Sequence, residues 1–205
     1  MKNIKKFTTL GLLLVFIISA LNLIGCASKK ESDKIVGSAG LIYELSDDGT
    51  YYIMVNGREC TEEDVVIGNW HEENGVSLPV KAIGAGAFTL HNGVTIDSIK
   101  SITVADGVKE LLGEGSLHDL PKVQKIILPD GIESLGVAEF MLNFELKEVV
   151  IGKGLKTIQV DAFGGVPEDI VIYFRGTKEE WESVEIGESG NEVLSNCKIV
   201  FDYKD

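Results

Sequence analysis

Four short stretches of the chain share one hydrophobic pattern. Ser101-Ile102-Thr103-Val104, Lys125-Ile126-Ile127-Leu128, Glu148-Val149-Val150-Ile151 and Asp169-Ile170-Val171-Ile172 each carry apolar residues two apart, the spacing of one face of a β-strand. Alternation sets Ile102, Ile126, Val149 and Ile170 on the inner side, with Val104, Leu128, Ile151 and Ile172. The first three stretches run into Asp106-Gly107, Asp130-Gly131 and Lys153-Gly154, which are turn signals. A second pattern recurs between the strands. Phe88, Leu117, Phe140 and Phe163 are spaced 29, 23 and 23 residues apart, and Ile83, Leu112, Leu135 and Ile158 keep the same intervals. Two columns in one register mark an internal repeat. One such unit cannot bury its own apolar face. Stacked units can, with strands about 4.8 Å apart.

A repeat of this length with one strand per turn falls in the leucine-rich class. Val123-Gln124-Lys125-Ile126-Ile127-Leu128-Pro129 and Leu135-Gly136-Val137-Ala138-Glu139-Phe140 resemble the BspA-like leucine-rich repeat family, whose pattern runs Leu-x-x-Ile-x-Ile-Pro, a turn, then Ile-Gly-x-x-Ala-Phe. The resemblance reaches back through Asp64-Val65-Val66-Ile67 to Gly40, and forward to Ile172-Tyr173-Phe174 and Trp181. Leu117 replaces the phenylalanine, Gly68 stands where a proline is usual, and the first interval is six residues longer than the others. The fold expected is mainly β: a short right-handed leucine-rich-repeat solenoid of about four coils over residues 80–175. Residues 40–79 are expected to form an N-terminal cap and lead-in strands, with Leu41–Leu45 and Tyr51–Val55 as a β-hairpin around Asp47-Asp48-Gly49-Thr50. Residues 176–205 are expected to form a helix-strand cap. There Thr177-Lys178-Glu179-Glu180 is a capping-box sequence, Trp181 packs over the last coil, and Lys198-Ile199-Val200-Phe201 supplies a final strand.

The first 25 residues have a different character. Lys2, Lys5 and Lys6 precede a fifteen-residue run from Leu10 to Ile24, mostly apolar. The run is shorter than the roughly 20 residues that span a bilayer core, and it fits the h-region of a cleaved leader. It ends at Leu23-Ile24-Gly25-Cys26, which resembles the lipobox of bacterial lipoproteins. That resemblance implies acylation of Cys26, cleavage before it, and a lipid anchor outside the cytoplasm at the cell surface. A non-lipidated leader with an incidental Cys26 is the plainer alternative. Residues 26–39, polar and charge-mixed, read as a flexible tether.

Charge narrows the function. The chain has 19 basic and 32 acidic residues, and loss of three lysines with the leader leaves a net charge of −16. Such a surface repels nucleic acid and anionic headgroups, so membrane contact is expected through the lipid anchor alone. Cys60 and Cys197 lie far apart in sequence and read as two free thiols, with a disulfide as the alternative. No cofactor or metal site is expected. His71-Glu72-Glu73-Asn74 opens like a zincin helix, but Gly75 occupies the second histidine's place. His71, His91 and His118 read as isolated, solvent-exposed loop residues, and Gly113-Glu114-Gly115-Ser116 only approaches a nucleophile elbow.

A surface remains as the candidate site. Thr103, Ile127, Val150 and Val171 form one expected outward column of the stacked strands, and Ser101, Lys125, Glu148 and Asp169 form the next. An uncharged, partly aliphatic ladder on an acidic chain suits a protein interface, although β-branched residues also suit strands for their own sake. The reading is a non-catalytic surface module that binds an extracellular protein or glycan, and adhesion is what the family resemblance implies. A structural or assembly role in the envelope is the alternative. An enzyme or small-molecule receptor ranks third, for want of convergent polar residues.

Overall fold

The computed structural model describes residues 33–89 and 96–204. The leader, Cys26 and the start of the tether lie outside the described residues, as does His91. Strands β1 (Ile42–Leu45), β2 (Tyr52–Asn56), β3 (Asp64–Ile67), β4 (Trp70–Glu73) and β5 (Val76–Ile83) come first. Then follow β6 (Ser101–Val104), β7 (Glu110–Leu111), β8 (Lys125–Ile127), β9 (Ser134–Leu135), β10 (Glu148–Ile151) and β11 (Thr157–Ile158). The chain closes with β12 (Val171–Phe174), helix α1 (Lys178–Glu182), β13 (Glu185–Ile186), a 3-10 turn over Glu192–Ser195, and β14 (Lys198–Val200).

Strands β3, β6, β8, β10, β12 and β14 stack in that order into one sheet, each parallel to its neighbours. Their six rungs define a β-solenoid of about five turns. The expected four coils undercount because the lead-in strand β3 and the tail strand β14 join the same sheet. On another side, β9, β11 and β13 form a short parallel sheet, and β7 pairs with β5. Proline ends β8 where it does because Pro129 has no N–H to donate onward. One coil later the chain needs glycine: a Cβ on Gly152 would lie 2.3 Å from both Asp130 Cα and Pro129 O.

The core is the expected ladder. Ile102, Ile126, Val149 and Ile172 stand in register and are fully buried. Phe88, Leu117, Phe140 and Phe163 pile up behind them, with the Phe140 and Phe163 rings edge-on at 5.1 Å. The register corrects one expectation. Val171, not Asp169, pairs with Glu148, and Tyr173 pairs with Val150. The last strand lies two residues later than its alternation predicts. A slip of two keeps every side chain on its face, so the alternation alone could not reveal it. The interval from Glu148 to Val171 is again 23 residues, the period already visible in the phenylalanine column.

The corner before each phenylalanine has its own signature. Gly86, Gly115, Ala138 and Asp161 share left-handed backbone, with φ of 56°, 55°, 56° and 58°. Glycine adopts this freely, whereas a Cβ makes it costly. The corners are hydrogen-bonded coil to coil, from Gly115 N–H to Val137 O and from Ala138 N–H to Val160 O. Asn143, fully buried, accepts from the Leu120 N–H (2.9 Å) and donates to Leu117 O (2.9 Å), tying two coils together.

Both ends are covered. The hairpin β1–β2 forms as expected, and β2 continues in parallel onto β5, which is itself paired with β4. Residues 33–39, expected to end the flexible tether, instead belong to the fold. Ser38 N–H donates to Val66 O on the outer edge of β3, Trp70 N–H donates to Ile35 O, and the Lys34 ammonium sits 4.1 Å from the Trp70 ring centre. Asn69 holds this segment by accepting from Ile35 N–H and donating to Asp33 O. At the other end the capping box closes: Thr177 Oγ1 accepts from Glu180 N–H, and Glu180 Oε2 accepts from Thr177 N–H. Trp181 packs against Phe174 at 5.2 Å, over the last coils as expected.

Candidate interaction surface

The outward face of the long sheet carries two rows. The first is Val66, Thr103, Ile127, Val150, Tyr173 and Val200; the second is Asp64, Ser101, Lys125, Glu148, Val171 and Lys198. Thr103, Ile127 and Val150 therefore do form one column and Ser101, Lys125 and Glu148 the next. Val171 moves from the first row to the second, and Asp169 lies outside the strand altogether. Tyr173 takes the vacated place. Its signal was the 23-residue step from Val150, read against the phenylalanine period.

The two rows differ chemically. In the second, Ser101 Oγ donates to Asp64 (2.5 Å), and Lys125 pairs with Glu148 at 2.9 Å. The hydrogen bond that Lys125 donates to Glu148 holds its ammonium above the ordinary range. Charged residues in consecutive coils thus satisfy one another, as do Lys122 with Glu145 and Lys156 with Glu133. The first row is uncharged from end to end but is not a bare apolar strip. Val150 is fully buried, while Thr103, Ile127 and Tyr173 are half-exposed. Beyond β14 the chain turns back: Asp202 N–H donates to Gly176 O, Tyr203 N–H to Phe174 O, and the Tyr203 ring lies 4.7 Å from that of Tyr173. The accessible feature is therefore an aromatic pair at one end, leading to Ile127 and Thr103, beside a row in which Lys125 pairs with Glu148 and Ser101 with Asp64.

Of the two described histidines, His118 lies in a loop as expected and His71 does not. His71 lies in β4, stacked on Tyr43 at 4.1 Å and edge-on to Tyr52 at 4.8 Å, and burial holds its ring below the ordinary imidazole range. A sequence cannot show this because the three aromatics come from separate strands. His118 contacts the Gly115 carbonyl through Nδ1, and its Nε2 lies 3.0 Å from Thr89 Oγ1. Both rings have structural partners. Cys60 is buried and Cys197 half-buried, both as free thiols raised above their ordinary range by burial.

Two concavities lie away from this face. One of about 360 Å³ is lined by Phe163, Val166, Glu168, Glu192 and Asn196, and one of about 440 Å³ by Thr157, Val160, Glu185 and Ile186. Among the described residues no group of three or more His, Cys, Asp or Glu side chains is arranged to hold a metal ion.

No family model matches the chain, and no curated protein matches it. Solved structures do. A leucine-rich repeat protein of Bacteroides ovatus superposes with a TM-score of 0.56 at 20% identity, over 80% of this chain and 42% of that one. A leucine-rich cell surface protein of Faecalibacterium prausnitzii gives 0.41 at 16% identity, over 84% and 56%. A leucine-rich repeat protein of Bacteroides capillosus gives 0.43 at 17% identity, over 82% and 99%. The chain spans less than two thirds of the length of the first two. With the stacked strands and the phenylalanine ladder in place, the first of these likenesses identifies the fold as that of bacterial leucine-rich repeat proteins.

Proposed function

We propose that this chain is a non-catalytic interaction module of the BspA-like kind. It is carried outside the cytoplasm on a lipid at Cys26, and it binds an extracellular protein or glycan through the outer face of its long sheet. The supporting observation is the uncharged row Thr103, Ile127 and Tyr173, with Tyr203 beside it, on a chain of net charge −13 before processing. Aromatic and aliphatic groups whose charged neighbours are already paired cost little to desolvate. Such groups also tend to dominate binding energy. The lipobox-like Leu23-Ile24-Gly25-Cys26 supports the location, and the repeat resemblance supports adhesion.

The test is binding of a soluble fragment beginning at Asp33 to immobilised extracellular-matrix proteins and a glycan array. Ile127→Lys and Tyr173→Ala are expected to weaken any binding at least tenfold, while Ile186→Lys, on the short sheet, leaves it unchanged. Equal binding by all variants, or no binding by the parent fragment, overturns the reading. The anchor is tested separately: labelled palmitate is incorporated by the full chain and not by Cys26→Ser.

A further inference from the structure

Glu139 occupies the place just before the third phenylalanine-column residue, where the other coils have Ala87, Ser116 and Ala162. It is fully buried, and neither carboxylate oxygen closes a well-formed hydrogen bond. A carboxylate in this position lacks what normally makes burial tolerable, namely a cation or a set of good donors. The charged and titratable residues of the turns packed against it are Glu114, His118 and Asp119 on one side and Asp161 on the other. None of them eases its charge. Glu133, just before β9, is committed to Lys156 at 2.8 Å. His118 is committed to Gly115 and Thr89.

The same turn has little conformational reserve. Ala138 and Leu142 both hold positive φ, 56° and 63°, without being glycine. Leu142 and nearby Phe144 are exposed, at 36% and 57%. Three coil-to-coil hydrogen bonds hold the turn to the next one, from Ala138, Phe140 and Leu142 N–H to Val160, Ala162 and Gly164 O.

We infer that Glu139 makes the third turn of the solenoid a proton-operated latch: the neutral acid packs in the place that Ser116 and Ala162 hold in the coils on either side, and its ionisation loosens the turn that presents Leu142 and Phe144. Burial pushes the carboxyl from the ordinary carboxylate range up to about 7, with the Gly136, Leu117 and Ser116 amides pulling weakly the other way. The folded acid thus holds its proton where the unfolded chain has lost it, so stability falls as pH rises from about 4.5 to about 7 and then levels off.

Two measurements test this on the fragment beginning at Asp33. In urea titrations at pH 5 and pH 8, the ratio of unfolding constants of the parent to those of Glu139→Gln should rise at least tenfold. Glu139→Ala, which installs the residue found at Ala87 and Ala162, should behave like Glu139→Gln. Parallel curves for parent and variants overturn the latch. Carboxyl carbon NMR of the parent, which needs no variant, should show Glu139 titrating near neutrality; a midpoint below 5 overturns it. Hydrogen exchange corrected for intrinsic rates locates the loosening. Between pH 6 and pH 8 protection at Ala138, Phe140 and Leu142 should drop more than at Gly164 and Val166. A uniform drop refutes a local latch.

Discussion

The central coils and the N-terminal cap solve one problem, covering a strand edge, by opposite means. In the coils each residue meets its own counterpart one period away: Ile126 on Val149, Lys125 on Glu148, Ser134 on Thr157. In the cap almost nothing repeats. Antiparallel pairs β1–β2 and β4–β5 are joined by a parallel pair β2–β5, and the interior is set by Tyr43, Tyr52 and His71 from three strands. The coils gain stability as nearest-neighbour terms along a line, whereas the cap gains it from one cluster. A lesion in a coil should therefore weaken two interfaces, and one in the cap should act as in an ordinary small core.

The sharpest way to break the coil side is Phe140→Ala. Removing a fully buried ring that packs on Phe163 should cost about 3–5 kcal/mol in urea unfolding, with the transition losing cooperativity as the stack divides. Asn143→Ala comes next. It leaves a buried N–H on Leu120 and a buried carbonyl on Leu117 without partners, at about 2–3 kcal/mol by the same measurement. The sign reverses at Ala138→Gly, where a left-handed corner gains the residue used at Gly86 and Gly115. Thermal unfolding should show a gain of about 0.5–1 kcal/mol.

The subtlest contrast is in pH, because the two regions respond with opposite sign. His71 in the cap is held below its ordinary range, so the unfolded chain binds its proton first, and stability is lost as pH falls below about 6.5. Glu139 in the coils acts the other way, with stability lost as pH rises. His71→Phe keeps a ring against Tyr43 and removes the titration, so the parent's stability relative to the variant should fall from pH 7 to pH 5, the Glu139 contribution being common to both. A difference between parent and variant that stays constant over that range places the acid sensitivity elsewhere.

The candidate surface was half legible. Thr103, Ile127 and Val150, like Lys125 and Glu148, could be placed because a strand's two faces follow from alternation and the coils from their period. Asp169 and Val171 were misplaced because alternation is blind to a slip of two, and the correct register needed the period carried through to Tyr173. Tyr203 was not legible at all. It reaches the sheet only because the chain reverses after Val200, with Asp202 at a φ of 51°.

By itself the sequence determined the repeat, the inward columns, the hairpin around Gly49, the capping box at Thr177 and the acidic charge. Each of these is a local preference or a periodic one, written into residues a fixed distance apart. Tertiary structure alone decided that Val150 is covered, that residues 33–39 close the sheet's first edge, that His71 lies between two tyrosines, and that Glu139 is enclosed without a counter-charge. Burial and pairing depend on what the rest of the chain brings to a position, and no spacing along the chain encodes that.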